Sequence, residues 1–344
     1  MRYTWPDILT GLVRSEGLEM EAAQWALDEI FNDRASEVQT AALLIALRAK
    51  GETEDEIKGL VHAMLDNSVQ VELEREAVDI VGTGGDRANT VNISTMAAIV
   101  AASAGSRVIK HGARAASSQS GTADTLEQLG VNIMLDPSKQ AAVLAETNIA
   151  FLFASLYHSA MRNVAGVRKQ LAIKTTFNFL GPLANPAQPA AMALGVADDE
   201  MAPLMARVIA GRGGRGLVFR GYDGLDELTT TSPSDVWAVA DGRVQYTTLD
   251  PLQLGLAPAA PHDLVGGPPE HNAQVARELV DGKPGPVRDI VLLNAAAAML
   301  AYHGVDLDED IGEQVGRHLD DARDAIDSGR SRENLNRWIE LTNR

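Results

Sequence analysis

From residue 78 onward, short apolar runs alternate with helix-length segments, and this alternation limits the possible fold more than any other feature. VDIV at 78–81 is followed by a glycine turn, the helix-like TMAAIVAASAG and then RVIK at 107–110. The later apolar runs VNIM, FLFAS, MALGVA and GLVFRG continue the pattern. Strands that alternate with helices form a mainly parallel sheet with helices on its faces. We therefore predict an α/β fold for most of the chain.

Two later stretches depart from the alternation. Asp241-Gly242 lies between two alternating runs in DVWAVADGRVQYTTL, which indicates a β-hairpin and adds an antiparallel ribbon. LVGGPPEHN, at 264–272, is the most loop-like insertion. The chain is helical again from VRDIVLLNAAAAMLAYHG to its end.

Residues 1–70 carry helical periodicity instead. We expect one helix to begin after Ser36, which would be its N-cap, and to stop at Gly51. The next begins with Thr53 and Glu56, which have the spacing of a capping box. These helices are amphipathic, so they need a partner surface, either the rest of the chain or a second subunit.

Composition excludes several classes of protein. The chain has 344 residues, no cysteine and seven scattered histidines, which argues against disulfides, thiolate catalysis and zinc sites. A net charge of −17 argues against nucleic acid and anionic membranes as partners, although a local basic pocket could still bind a phosphorylated small molecule. Acidic residues come too early for a targeting peptide, and the apolar runs are too short to span a bilayer. We expect a soluble cytoplasmic protein.

Two loops at predicted strand ends have the chemistry of phosphate sites. In DIVGTGGDRANTVNIST, at 79–95, glycines allow backbone N–H groups to approach an anion, and hydroxyls precede a helix. A tight strand-to-helix turn explains these glycines equally well. In KHGARAASSQSGT, at 110–122, we expect Lys110 to emerge at the ligand edge of the sheet beside Arg114 and several hydroxyls.

Two further segments matter in that context. Asp226 and Glu227 are adjacent carboxylates after the apolar run GLVF, a pair that suits Mg²⁺ bridging to a phosphate but could also form an acidic turn. The basic segment 158–187 is either a helix followed by a proline-containing loop, or a site where an arginine binds a substrate carboxylate.

Taken together and in order, these motifs resemble the anthranilate phosphoribosyltransferases, which catalyse the second step of tryptophan biosynthesis. The resemblance runs from about residue 5 to residue 340. It rests on an ordered set: DIVGTGGD, NTVNIST, KHG with SSQSGTAD, VAGVR leading into FNFLGPLANP, and DGLDELTTT. The related pyrimidine nucleoside phosphorylases share the fold and some glycine loops, but the last two motifs fit the transferases better.

The resemblance implies the fold and the assembly. It implies a small all-helical domain, residues 1–70 plus 167–187, and a large α/β domain, residues 73–166 plus 188–344, with a central mainly parallel sheet as in the nucleoside phosphorylases and phosphoribosyltransferases. Members of the family usually form homodimers through the helical domain.

The resemblance also implies a pentosyltransferase that uses Mg²⁺ and transfers phosphoribosyl from 5-phosphoribosyl 1-diphosphate (PRPP) to the amine of anthranilate. The residues implied to contact PRPP are Gly82, Gly85, Asp86, Thr90, Asn92, Ile93, Ser94, Thr95, Lys110, Ser117, Ser118 and Thr122. Those implied to bind anthranilate are Gly82, His111, Ala113 and Arg168, with Arg168 taking the carboxylate. Those implied to hold Mg²⁺ are Ser94, Asp226 and Glu227. No acid–base residue is implied.

Ala113 departs from the family pattern, since relatives usually have asparagine there, bordering the anthranilate channel. Prolines that are common in relatives around His158 and before Arg168 are also absent. Two alternatives therefore stay open. One is a transferase or phosphorylase of the same fold that acts on another aromatic amine or base. The other is a non-catalytic relative that binds nucleic acid, against which the charge and the Asp226–Glu227 pair argue.

Overall fold

The structure, a computed structural model, describes residues 3–115 and 118–344. The helices in these ranges are α1 (Trp5–Val13), α2 (Met20–Phe31), α3 (Glu37–Lys50), α4 (Glu54–Asp66), α5 (Ile93–Ser103), α6 (Thr122–Leu129), α7 (Gln140–Thr147), α8 (Ala154–Tyr157), α9 (Arg162–Leu171), α10 (Phe177–Leu183), α11 (Met201–Gly211), α12 (Pro269–Val280), α13 (Pro286–His303), α14 (Ile311–Asp327) and α15 (Arg330–Thr342). The strands are β1 (Val78–Gly82), β2 (Val108–Gly112), β3 (Ile149–Phe153), β4 (Ala191–Gly195), β5 (Arg215–Gly221), β6 (Ser234–Ala240) and β7 (Arg243–Leu249).

The chain forms two compact units. The helical unit contains the residues up to Gln70 together with Ala154–Pro186, and the α/β unit contains Val71–Phe153 and Ala187–Arg344. We expected the second segment of the helical unit to begin at 167. It begins at Ala154 instead, because the chain leaves the sheet at the end of β3 and enters α8 and α9 directly.

The helical unit confirms the predicted caps. Ser36 and Thr53 each accept the backbone N–H three residues on, and the side chains of Gln39 and Glu56 complete two capping boxes. The Glu56 carboxylate, fully buried, also accepts Leu18 N–H at 2.9 Å. It therefore links the start of α4 to the segment before α2, in addition to capping α4.

The α/β unit contains one sheet of seven strands within the described ranges, in the order β3-β2-β1-β4-β5-β6-β7. The first five strands in this order are parallel, whereas β6 and β7 are antiparallel additions at one side. Asp241 and Gly242 both have positive φ, 51° and 70°, in the predicted hairpin. The expectation of an α/β fold with a mainly parallel sheet is confirmed.

Helices cover this sheet as the alternation predicted. α5 and α13 pack against each other, and α13 also packs on β1, β4 and β5. Both helices are apolar and almost entirely buried, which explains why their sequences lack a polar stripe. No helix in the described part of the chain combines the length and apolar character needed to cross a membrane.

Two local expectations were wrong. Val131–Met134 forms a turn and no strand, although burial alternates there, with Val131 and Ile133 buried and Asn132 and Met134 exposed. Its backbone is bonded to side chains, with Asn132 N–H donating to the Thr342 hydroxyl at 3.2 Å. FNFLGPL is the helix α10, which contains Pro182 near its C-terminal end although proline removes a backbone N–H there.

Candidate active site

Three loops at one edge of the sheet form the candidate site. β2, β1, β4 and β5 are parallel neighbours, so their carboxyl ends lie along the same edge. The glycine loop (residues 83–92) follows β1, the hydroxyl loop (113–121) follows β2, and the acidic loop (222–233) follows β5. Open parallel sheets bind their ligands at this edge.

Asp226 of the acidic loop packs directly against the end of β1. Its Oδ2 accepts a hydrogen bond from Gly84 N–H, with an N–O distance of 2.7 Å. A β-carbon on Gly82 would lie 2.1 Å from that oxygen, and one on Gly195 would lie 1.7 Å from the Asp226 carbonyl oxygen. Glycine is therefore required at both positions for Asp226 to approach, whatever substrate contact Gly82 also makes.

The glycine loop has a strained backbone. φ is 71° at Gly84 and 84° at Gly85, and it is also positive at Arg87 and Asn89, 65° and 53°. For residues other than glycine this conformation costs about 1–3 kcal/mol and persists only where the surroundings hold it. Asn89 is held through its carbonyl oxygen, which accepts Gly266 N–H at 2.8 Å.

Asp226 and Glu227 are buried carboxylates whose charges are not neutralised by a direct salt bridge in the described residues. Burial raises the pKa of Asp226 to about 7, and the nearby Asp86 carboxylate adds to the shift. Burial raises the pKa of Glu227 well above its usual value, with the Asp226 charge as the next cause. Two such groups need a cation to be stable in the ionised form.

Lys110 supplies part of that positive charge, but from a place we did not expect. It lies within β2, is 1% exposed and does not emerge at the ligand edge. Its Nζ donates to the Ile80 carbonyl oxygen and, at 3.2 Å, to the Ser94 hydroxyl. Burial lowers its pKa, while the charges of Asp79, Glu227 and Asp226 oppose that shift. Because Lys110 was assigned to a strand end, the sequence prediction missed its burial.

The three residues implied to hold Mg²⁺ come together. The Ser94 backbone N–H lies close enough to the Glu227 carboxylate to oppose the rise in its pKa, and the Ser94 hydroxyl and both carboxylates lie near Lys110. No group of three His, Asp or Glu side chains in the described ranges is arranged to hold a metal by itself. Mg²⁺ commonly takes one or two carboxylates and completes its shell with substrate phosphates and water. The buried pair, whose charge Lys110 compensates only in part, fits that ion.

The hydroxyl loop is only partly described, and Ser117 lies outside the described residues. Ser118 Oγ donates to the Ser120 carbonyl oxygen at 3.3 Å. Thr122 begins α6, and its hydroxyl accepts a hydrogen bond from Thr95 at 3.2 Å. The loop therefore reaches the start of α5, although the contacts of Ser118 and Thr122 with PRPP stay predictions.

Arg114 does not provide the free positive charge that we expected beside these hydroxyls. Its Nη1 lies 2.8 Å from Asp124 and 2.9 Å from Glu127, and its guanidinium lies over the Phe153 ring. These two acidic partners raise its pKa further above the usual value. Their positions three residues apart on α6 could have suggested this pairing.

His111 and Ala113 lie at the end of β2. His111 is buried, and its backbone N–H donates to Asp79 Oδ1 at 3.3 Å. Ala113 is exposed, and its carbonyl oxygen accepts Ala123 N–H at 3.2 Å. A larger side chain at position 113 therefore has room, which bears on the departure from the family pattern.

The start of α5 is arranged differently from an ordinary capped helix. Asn92 occupies the N-cap position, yet its side chain makes no capping hydrogen bond and donates instead to the Ser120 carbonyl oxygen at 3.2 Å. Ile93 is buried, and its N–H donates to Val91. The Thr95 N–H has no partner among residues 3–115 and 118–344. An uncapped helix start suits an anion. The substrate contacts implied for these residues, and for Gly85, Asp86 and Thr90, stay predictions.

Arg168 belongs to the helical unit, on α9. Its guanidinium lies 5.5 Å from the centre of the Phe177 ring, and it has no acidic partner in the described part of the chain. Burial lowers its pKa. A partly buried arginine without a carboxylate partner is suited to bind an anionic group.

Sequence reasoning missed two polar residues that support the site. Asp79 is fully buried within β1, and Asn294 is fully buried within α13. The Asn294 amide donates to the Leu228 carbonyl oxygen at 2.7 Å and accepts Leu228 N–H at 3.0 Å, next to Glu227. In both cases the signal was present as one polar residue inside an apolar run.

The chain is similar to known proteins over nearly its whole length. The profile described as the helical bundle domain of a glycosyl transferase family matches residues 6–68, and that of its a/b domain matches residues 74–332. An anthranilate phosphoribosyltransferase of Thermobifida fusca is 53% identical over 98% of this chain and 96% of the relative.

Solved structures extend the similarity to three dimensions. An anthranilate phosphoribosyltransferase from Thermus thermophilus matches with a TM-score of 0.91 and 38% identity over 98% of this chain and 100% of that chain. The enzyme from Saccharomyces cerevisiae in complex with PRPP and Mg matches with a TM-score of 0.88 and 28% identity over 100% of this chain and 99% of that chain. With both of its domains matched and relatives at about half identity over nearly its full length, this chain belongs to the anthranilate phosphoribosyltransferase family.

Proposed function

We propose that the protein transfers the phosphoribosyl group of PRPP to the amine of anthranilate and releases diphosphate, as a step of tryptophan biosynthesis. The observation that carries this proposal is the buried Asp226–Glu227 pair beside Ser94, at the start of an uncapped helix. Full-length similarity to anthranilate phosphoribosyltransferases supports the choice of both substrates.

The chemistry requires little proton transfer by the protein. An aromatic amine is already a neutral nucleophile near pH 7, and it attacks C1 of the ribose as the bond from C1 to the diphosphate oxygen breaks. The difficult step is the departure of the diphosphate from a ribose that develops positive charge. Catalysis then depends on orientation and on charge stabilisation, which agrees with a site of glycines, hydroxyls and carboxylates.

The residues of the site divide this work. Asp226, Glu227 and Ser94 would hold Mg²⁺, whose charge would stabilise the departing diphosphate. The left-handed glycine loop and the uncapped start of α5 present backbone N–H groups to phosphate oxygens. Lys110 lies behind these groups and balances the charge of the carboxylates from inside the sheet.

We assign the anthranilate carboxylate to Arg168 and the rest of the aromatic substrate to Gly82, His111 and the surface at Ala113. A guanidinium that lacks an internal carboxylate partner is matched in charge and shape to that group. The assignment of the carboxylate therefore depends mainly on Arg168.

The direct test is the loss of anthranilate fluorescence on incubation with PRPP, with and without Mg²⁺. We expect fluorescence loss that requires PRPP and falls when EDTA removes the metal. Unchanged fluorescence with both substrates and Mg²⁺ would contradict the proposal. Substituted anthranilates, and thymidine with phosphate, then test the alternative of another amine or base.

Ala113→Asn should lower the KM for anthranilate about 2- to 10-fold, because one neutral hydrogen bond to the substrate or its water contributes roughly 0.5–1.5 kcal/mol. The KM for PRPP should change little. The exposed position of Ala113 leaves room for the amide. Steady-state kinetics with each substrate varied in turn is the measurement. An unchanged or higher KM for anthranilate would favour a pocket adapted to alanine and thus a different amine substrate.

We further propose a cytoplasmic homodimer formed through the helical unit. Val13 of α1 and Val38 of α3 are 80% and 78% exposed, so apolar surface on these helices is left for a partner. Val38→Glu should shift the mass measured by sedimentation from that of a dimer to that of a monomer. A monomeric wild type, or a variant that stays dimeric, would contradict the assignment of this surface.

A further inference from the structure

We propose that Asn272 is a positioning residue for the phosphate-binding loop. Residues 264–272, here called the brace segment, form the Pro/Gly-rich insertion to which the reaction assigns no role. Asn272 ties this segment to Asn92 at the start of α5. The inference rests on the proposed function, because it assumes that the start of α5 binds PRPP.

Asn92 is the point where three segments meet. Its Oδ1 accepts the Thr125 hydroxyl of α6 at 2.5 Å and the Asn272 amide at 2.8 Å. Its Nδ2 donates to the Ser120 carbonyl oxygen at 3.2 Å. The amide is therefore fixed in orientation, since a flip would place an oxygen against the Ser120 carbonyl and an N–H₂ group against the Asn272 amide.

Asn272 is 2% exposed and uses both ends of its amide. Its Oδ1 accepts Gly267 N–H at 2.8 Å, while its Nδ2 donates to Asn92. One side chain thus fixes the turn within the brace segment and connects that turn to the N-cap of α5. Buried amides with both ends satisfied fix a unique local arrangement.

The brace segment also holds the end of the glycine loop through its backbone. Val91 N–H donates to the Leu264 carbonyl oxygen at 2.9 Å, and Gly266 N–H donates to the Asn89 carbonyl oxygen at 2.8 Å. A β-carbon on Gly266 would lie 2.7 Å from the Thr90 carbonyl oxygen, so the two backbones are in close contact. This contact maintains the left-handed conformation at Asn89.

These contacts have a consequence for binding. Because Asn92 is engaged by Thr125, Ser120 and Asn272, its side chain does not cap α5. If Asn92 were released, its side chain could turn to the N–H groups at the start of α5, as asparagine does at most N-caps. Asn272 thus keeps the helix start open for the phosphates of PRPP.

Asn272→Asp is the sharpest test, because it keeps the size and the acceptor for Gly267 but replaces the donor that faces Asn92. We expect the Kd of PRPP, measured by calorimetry in MgCl₂, to rise about 10-fold. The KM for PRPP should rise similarly, whereas the KM for anthranilate should change less than about 2-fold. Asn272→Ala, which removes both hydrogen bonds, should give the same separation of the two constants.

Gln314→Ala is the matched control. Gln314 is also 2% exposed, and its amide likewise braces a loop, donating to the Asp306 carbonyl oxygen at 2.6 Å and accepting Asp306 N–H at 2.9 Å. This variant should lower the melting temperature and leave the Kd of PRPP unchanged. If the Asn272 variants behave in the same way, the residue is only structural and the inference fails.

The binding measurement separates this inference from the proposed function. A wild-type protein that does not bind PRPP would contradict the function itself. Wild-type binding that the Asn272 variants retain in full would overturn only the role of Asn272. Asn92→Ala combined with Asn272→Ala should weaken PRPP binding no more than the stronger single variant, because both changes break one linkage. Additive losses would count against a shared action.

Discussion

Asp226→Asn and Glu227→Gln should each lower kcat/KM about 100-fold, the scale of losing one preorganised electrostatic group at a site of charge development. Each change keeps the shape of the side chain and removes an anionic oxygen that Mg²⁺ requires. The local hydrogen bond of Asp226 can survive in Asp226→Asn, because an amide oxygen can still accept Gly84 N–H.

Stability distinguishes this effect from misfolding. Both carboxylates are buried with raised pKa values, so the folded protein bears a cost for their charge in the absence of metal. The variants have no such charge to bury, and without Mg²⁺ they should melt no lower than the wild type. Excess Mg²⁺ should restore part of the activity of each single variant, since the second carboxylate remains.

Asp223→Asn is the control in the same loop. Asp223 is exposed, and its carboxylate accepts the Thr229 and Thr231 hydroxyls on one oxygen and Leu225 N–H, at 3.1 Å, on the other. In the variant the amide oxygen can keep Leu225 N–H, while the two hydroxyls can turn to accept from the N–H₂ group. Its activity and its dependence on Mg²⁺ should match the wild type. Full activity of Asp226→Asn or Glu227→Gln at low Mg²⁺ would rule out the assigned metal role.

Features of the fold that depend on neighbouring residues could be predicted from the sequence. The capping box at Thr53 and the Asp241-Gly242 hairpin depend on residues a few positions apart, and both are present. The strand that we predicted at Val131–Met134 is wrong because that prediction, too, used only the pattern of neighbouring residues. Alternating burial is what a strand produces, but a turn that docks against Thr342 produces it too.

The site was predictable in outline and not in its internal contacts. The rule that ligands bind at the carboxyl ends of parallel strands identifies the three loops from sequence. It does not show that Gly195 must be glycine to admit Asp226, or that Asn272 bonds to Asn92, a residue 180 positions away. Such contacts depend on the packing of distant segments, for which the sequence carries no periodic signal.

The burial of Lys110 illustrates the same limit. A lysine beside an apolar run is normally interpreted as the end of a strand, because burial of an ammonium is costly. Here the charges of Asp79, Asp226 and Glu227 compensate that cost, and all three come from other strands or loops. Only their combination in space makes a buried lysine stable within β2.

Arg168→Ala should raise the KM for anthranilate about 10- to 100-fold, since a charge-assisted hydrogen bond contributes roughly 1.5–3 kcal/mol. The KM for PRPP should change far less. The physical reason is that Arg168 is partly buried, stacks on Phe177 and has no carboxylate partner within the described residues, so its charge is available to a substrate anion.

Two companion variants make this prediction specific. Arg168→Lys keeps the charge but loses the planar pair of donors, so the KM for anthranilate should lie between those of the wild type and Arg168→Ala. Lys169→Ala removes a charge from the next residue of α9, which is exposed, and should leave both KM values unchanged. Steady-state kinetics of all four proteins, with each substrate varied in turn, is the measurement. Equal rises in both KM values for Arg168→Ala would show that the arginine supports the structure or binds phosphate, and the anthranilate carboxylate would then need another partner.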